Sequence, residues 1–157
     1  MTQIITPKEV VEIAFTDGEY ISSESIAASD IEAAAERWVV PVAGRKVMEA
    51  AAAGQYGELK ENYLKPAIAL YTRCLLQPRL NVSTSMLGLG SPSSSHRKAA
   101  DKHHSQELME ALRKRARTTL RRLSEYLQEH KAEIVEYDPK CNILNRCSTD
   151  GGFIQIF

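Results

Sequence analysis

The sequence predicts a mainly α protein: a small helical bundle with one long C-terminal helix, an extended Ser/Gly-rich arm and a short β-like C-terminal tail. Three observations carry this. Apolar residues recur at the i, i+4, i+7, i+8 spacing of a helix with one buried face. Capping residues, glycines and prolines punctuate those segments where helices start and stop. The stretch 77–98 and the terminal FIQIF fall outside the helical period altogether. Residues 1–137 thus read as one helical domain with the arm 77–98 inside it, and 138–157 as a tail.

The first helix is announced by Thr6 as cap, Pro7 at the first helical position and Glu9 as capping-box partner, with Val10, Val11 and Ala14 as its apolar face. Thr16-Asp17-Gly18 breaks it, and Ser22, Ser23 or Ser25 can cap a second helix. Ala27, Ile31, Ala34, Ala35 and Trp38 share that second helix's buried face, and Pro41 is expected to end it. A short helix follows over Arg45 to Ala53, bounded by Gly44 and Gly54. A fourth begins at Glu58, where Leu59, Tyr63, Ala67, Leu70, Tyr71 and Cys74 line one face and Pro66 predicts a kink near Asn62.

From Gln77 to Lys98 the composition turns to Ser, Gly, Pro and Asn. Leu80, Val82, Thr84 and Met86 alternate, as an edge strand or extended arm would, before LGLGSPSSSHRK loses all period. A long structureless segment inside a small domain is usually functional or ordered by a partner. The longest helix then spans Ala99 to Tyr137, with Leu108, Leu112, Ala116, Thr119, Leu120, Leu123, Leu127 and Ile134 as its stripe. Unbroken, it is about 55 Å long and projects beyond the core or packs on another subunit. Asp138-Pro139 stops it. The tail's Phe153, Ile154, Ile156 and Phe157 form a β-rich pattern too short to make a sheet alone, so it needs a partner strand in this chain or another.

Composition excludes several classes. The chain has 157 residues, 43% hydrophobic and 25% charged, enough for one modest core. Twenty basic against twenty acidic residues give zero formal charge, so attraction to nucleic acid or anionic lipid must come from a local patch. No apolar run approaches the roughly 20 residues that span a bilayer, and the N-terminal MTQIITPKEV lacks the basic and apolar regions of a secretion signal. An intracellular, unprocessed protein is expected. Cys74, Cys141 and Cys147 are odd in number without CxxC spacing, which argues against a disulfide framework or zinc ribbon.

No nucleophile elbow, HExxH, phosphate-binding loop or dinucleotide fingerprint is present. Gly88-Leu89-Gly90 lacks the third glycine and the following Lys-Ser/Thr, so it reads as flexible loop. His103 and His104 are adjacent and point about 100° apart on a helix, unsuited to sharing a metal. The acid pairs Asp30 with Glu32 and Glu133 with Glu136 read as solvated helix faces. The expectation is therefore no enzyme, no metal and no cofactor.

One local anomaly stands out: Arg113, Lys114, Arg115, Arg117, Arg121 and Arg122, followed by Glu125, Glu129, Glu133 and Glu136. The plainest reading is an exposed helix laced by salt bridges and i, i+4 pairs, for example Arg121 with Glu125 and Arg122 with Tyr126 or the nearby Glu125, within the chain and between subunits. Contact with an acidic protein surface and direct nucleic-acid contact are the alternatives. Arginine favours bidentate pairing to carboxylate or phosphate without choosing between them.

The order of features also resembles a known family. An Ala-rich helix runs into WVVPVAG, a short helix into AGQYGEL, and then come ENYLKPAIALYTRCLLQPRL, a Ser/Gly arm and a long final helix. Over Ile4 to about Tyr137 this is similar to the small helical head-tail connector, or adaptor, proteins of tailed bacteriophages and prophages; the matching pieces are Pro41 to Gly44, Gly54 to Gly57 and Tyr63 to Ala67. The resemblance implies a non-catalytic virion protein that forms a homo-oligomeric ring, a dodecamer by that likeness, between portal and tail at the head-tail interface. DNA would pass through its channel without sequence-specific binding. The tail, with CNILNRC and GGFIQIF, does not align to that pattern. Ring subunits make heterologous contacts and so present two different complementary surfaces. The expected contact residues are Arg113, Arg115, Arg117, Arg121 and Arg122 on the helix, Val82, Met86 and Leu87 in the arm, and Phe153, Ile154, Ile156 and Phe157 in the tail, the last by strand addition. A helical nucleic-acid-binding or regulatory protein using 113–122 is the competing reading.

Overall fold

A computed structural model describes residues 4–15, 21–80, 83–85, 88–90 and 102–145. The protein is mainly helical, with a long C-terminal helix, as the periodicity predicts.

Helix α1 (Pro7–Ala14) starts as its sequence announces. The Glu9 amide donates to Thr6 Oγ1 at 3.4 Å, and the Thr6 amide donates to Glu9 Oε2 at 2.8 Å, closing the capping box. Val10 and Ala14 are buried, and Val11 is half-buried. Ser22 caps a 3-10 turn, Ser23–Ser25, rather than the second helix, α2 (Ala28–Ala34), which follows Ala27 without a side-chain cap.

Pro41 does not end that helix. The chain passes through a π-helical turn, Ala35–Val39, in which the Val40 amide reaches back five residues to the Ala35 carbonyl, and continues as α3 (Val40–Ala43). The wider turn gives the proline ring the room an α turn denies it, so a breaker is absorbed rather than obeyed. Gly44, at φ +86°, makes the corner into α4 (Arg45–Ala52).

The same device recurs. After the left-handed Tyr56 (φ +54°), α5 (Gly57–Leu59) enters a second π turn, Lys60–Leu64, whose closing bond runs from the Lys65 amide to the Lys60 carbonyl. Pro66 lies two residues beyond that turn, as Pro41 lies two beyond the first. The break expected near Asn62 is this turn. The segments AERWVVP and KENYLKP share glutamate at the second position, an aromatic at the fourth, an aliphatic at the fifth and proline at the seventh, so one local sequence builds both.

Helix α6 (Lys65–Leu80) is the axis of the molecule. Ala67 through Tyr71 are buried on every side, because α1, α2 and α7 all pack against it. It runs to Leu80, so residues 77–80, expected in the arm, are its last turn; Pro78 sits there exposed and removes one backbone donor. Burial of Gln77 and Leu76 against the core outweighs the local composition. The described parts of the arm, β1 (Ser83–Ser85) and β2 (Gly88–Gly90), pair antiparallel with Thr84 opposite Leu89.

Helix α7 (Lys102–Glu129) has 28 residues, about 42 Å, and ends eight residues before the predicted stop. Leu112, Ala116, Leu120, Leu123 and Leu127 are buried as expected; Thr119 is half-buried, and Leu108 is 36% exposed, beyond the end of the core. The chain then folds back, which returns Ile134 and Tyr137 to the core instead of carrying them past it. Asn142, 1% exposed, locks this return: its Nδ2 donates to Ser124 Oγ and to the Tyr137 hydroxyl, both at 2.8 Å. Among the described residues no helix is long and apolar enough to cross a membrane.

Candidate interaction surface

Helix α7 turns its leucine stripe to α6 and thereby fixes where every arginine of the basic segment points. Arg113, Arg115, Arg117, Arg121 and Arg122 are all exposed, and Lys114 with them. The exposure the sequence suggests is there, but the salt bridges within the chain are not formed among the described residues. Neither Arg121 nor Arg122 has an ion pair within 4.0 Å to Glu125, and none of the five arginines has one to any described residue. Extended arginines in water gain little from single surface pairs against the rotamer freedom they would lose.

The arginines fall into two sets. Arg113, Arg117 and Arg121, each one helical turn from the next, form a row on the flank beside α6; Arg115 and Arg122, seven residues apart, lie on the other flank. The row borders an aromatic pair. Trp38 stacks on Tyr71 with centroids 4.8 Å apart, and the Arg37 guanidinium lies 4.9 Å from the Trp38 ring centre. Burial pushes the Tyr71 hydroxyl up to about 12, with Cys74 adding to that and Arg117 opposing it. Burial also raises the half-buried Cys74 thiol against the pull of Arg113 and Arg73, so this cysteine is held as an unreactive thiol.

A second aromatic set lies at the other end of α7. Tyr63, placed by the second π turn, stacks on Tyr126 at 4.2 Å, and Tyr126 stacks on His130 at 4.1 Å. All three rings are half-buried, and His130 Nδ1 lies 3.0 Å from the Tyr126 carbonyl. Burial raises the Tyr126 hydroxyl first, with Glu58 and Glu133 adding to the shift; both carboxylates are exposed, and the Glu133 amide donates to the His130 carbonyl at 2.9 Å at the edge of the ladder. Periodicity alone did not reveal this ladder: Tyr126 and His130 are four apart and visibly neighbours on a helix, but Tyr63 joins them only through the packing of the π turn on α7.

The acid pairs are partly employed. Asp30 accepts from Arg79 at 2.9 Å, and Glu136, beyond the end of α7, accepts from the Tyr56 hydroxyl at 2.5 Å; Glu32 and Glu133 are exposed. His103 faces Glu107 at 3.4 Å and His104 is exposed. No group of three His, Cys, Asp or Glu among the described residues is placed to hold a metal ion. A cavity of about 340 Å³ between the Ile4–Ile5 segment, α2 and α4 is walled mainly by apolar side chains, Ile31, Val40, Met48 and Ile68 among them. Val82, Met86, Leu87, Phe153, Ile154, Ile156 and Phe157 lie outside the described residues, as does Cys147.

What the described surface offers is binding chemistry: an unneutralised arginine row, aromatic faces and carboxylates, on a helix that extends past its core. A protein-family model, described as that of a family of unknown function, matches residues 21–146, from just before the Ser23–Ser25 turn to just after Ile143–Asn145. No curated protein and no solved structure matches the chain.

Proposed function

The chain belongs to that family, DUF6712, and we propose that the protein is a structural, self-assembling component of a tailed phage or prophage: a head-tail connector that forms a ring between portal and tail. The observation that carries the proposal is α7, whose first turns extend beyond the core and whose arginines form no ion pair among the described residues. A charged surface left unpaired on a rigid helix is suited to a partner, and a chain of zero net charge with segregated charge is suited to another copy of itself. A position at the head-tail interface is what the resemblance of residues Ile4 to Tyr137 to connector proteins implies. The function is non-catalytic and needs no cofactor; its partners are further copies of the chain, the portal and the tail.

Quantitative mass spectrometry of purified particles from the source of this gene tests the reading. About twelve copies per particle, the number of a closed ring matched to a portal, is the expected count; absence from particles rejects it.

The unpaired arginines also favour a second reading, a nucleic-acid-binding protein. It predicts affinity for duplex DNA that falls steeply between 50 and 200 mM salt, about tenfold or more for each few phosphate contacts, and that is lost in R115E/R122E. The connector reading expects weak, sequence-independent association at most.

A further inference from the structure

We infer that the middle of α7 and its C-terminal end carry the two halves of one self-complementary contact: the Arg113–Arg117–Arg121 row of one copy docks on the Tyr63–Tyr126–His130 ladder, flanked by Glu58 and Glu133, of the next. The inference rests on the self-assembling reading above and names the surfaces it uses.

Geometry sets the two halves apart in the way a head-to-tail contact requires. Arg117 and Tyr126 are nine residues apart, two and a half helical turns, so they face opposite flanks of α7 about 14 Å apart along its axis. One copy therefore cannot satisfy its own row with its own ladder, while a second copy, shifted along the helix and set beside it, can. Surfaces on opposite sides of a subunit make a heterologous contact, which closes into a ring or runs on as a filament according to the rotation between copies.

Chemistry matches the halves. A guanidinium is planar, stacks on aromatic faces and pairs bidentately with carboxylates, and the ladder offers both within one patch. Glu58 and Glu133 are exposed and have no ion pair within 4.0 Å; Lys60 and Lys131, on the neighbouring turns, do not neutralise them. Glu107 and Glu110 lie upstream of the row and pair with none of its arginines. Arg122, one turn before Tyr126, bounds the acidic patch on its N-terminal side, which leaves the carboxylate end beyond Tyr126 as the part that receives the row.

Complementary knock-outs test this. In R113Q/R117Q the row is neutralised and the ladder intact; in E58Q/E133Q the reverse holds. All four positions are exposed, where substitution is well tolerated, and far-ultraviolet circular dichroism verifies the fold. By light scattering at about 100 µM, wild type is expected as assemblies larger than a dimer that dissociate in 0.5 M salt, each variant as a monomer, and an equimolar mixture of the two as a 1:1 heterodimer that grows no further, since each partner contributes one working half. Tyr63→Ala, which removes a ring and no charge, is expected to weaken assembly about tenfold. Variants that assemble like wild type overturn the inference while leaving the connector reading intact. So does a pair of monomeric variants that give no heterodimer on mixing. A wild type that stays monomeric also overturns it, and the particle count then decides the connector reading alone.

Discussion

Glu9 carries two tasks on one side chain. Its Oε2 closes the capping box on Thr6, and its Oε1 accepts from Lys65 Nζ at 2.7 Å, so the start of α1 is tied to the start of α6. Lys65 also donates to Glu61 at 2.7 Å and is 9% exposed, a buried ammonium made tolerable by two carboxylates. The hydrogen bond from Lys65, then that from Thr6, hold the Glu9 carboxyl down at about 2. A carboxyl depressed in the folded state contributes stability that is present in full above its ordinary value of 4.5 and lost as pH falls toward 2. Thermal unfolding should therefore lose several degrees between pH 5 and 2.5. Glu9→Gln should lower the unfolding free energy at pH 7 by about 1–2 kcal/mol and flatten that acid limb; an unchanged slope would place the acid sensitivity elsewhere. Asn142 is the other residue with reach beyond its size. Asn142→Ala removes the donor to Ser124 and Tyr137 and the acceptor for the Leu144 amide, and should cost about 1–3 kcal/mol in urea unfolding.

At the scale of elements, α7 is two helices in one. From Leu112 to Leu127 it is a core helix, and upstream, over 103–111, it is exposed but for the half-buried Ser105 and Met109. Leu123→Ala, at a fully buried position, should cost about 2–5 kcal/mol, whereas Leu108→Ala should fall within about 0.5 kcal/mol of wild type. Hydrogen exchange should divide the helix at the same place, with amides of 105–111 exchanging far faster than those of 116–127; uniform protection along α7 would mean that its upstream turns are covered by a partner. The π turns belong to this scale as well. Each lies just before a proline and turns an aromatic, Trp38 or Tyr63, onto a ring of another element. Pro66 predicts the second as a break near Asn62, where it lies, whereas Pro41 predicts a helix end that does not form, because a proline specifies a local disturbance but not whether packing on both sides carries the helix through it.

For the molecule as a whole, the decisive fact is how charge is distributed once the core is formed. Equal numbers of acids and bases suggested mutual neutralisation along α7, yet the arginines stand apart from the glutamates that follow them. Folding spends carboxylates elsewhere: Glu9 and Glu61 on Lys65, Glu36 on Arg45 at 2.8 Å, Asp30 on Arg79, Glu136 on Tyr56. The remainder is a neutral protein whose α7 carries the Arg113–Arg117–Arg121 row on one flank and, on the other, Arg115 and Arg122 followed by an aromatic patch edged by Glu58 and Glu133, the arrangement that underlies the proposed assembly.

Local order was legible in the amino acids themselves. The capping box at Thr6 to Glu9, the leucine stripe of α7, the glycine corners at 44 and 54 and the helical class all follow from interactions that reach no more than about four residues, and such interactions depend on spacing alone. Tertiary structure decided the rest: that α6 runs on through Gln77 to Leu80, that α7 ends at Glu129 so that Ile134 and Tyr137 can return to the core, and that Tyr63 completes a ladder with Tyr126 and His130. Those outcomes depend on which apolar surfaces meet across long sequence separations, where burial in a shared core outweighs the preference of any single segment.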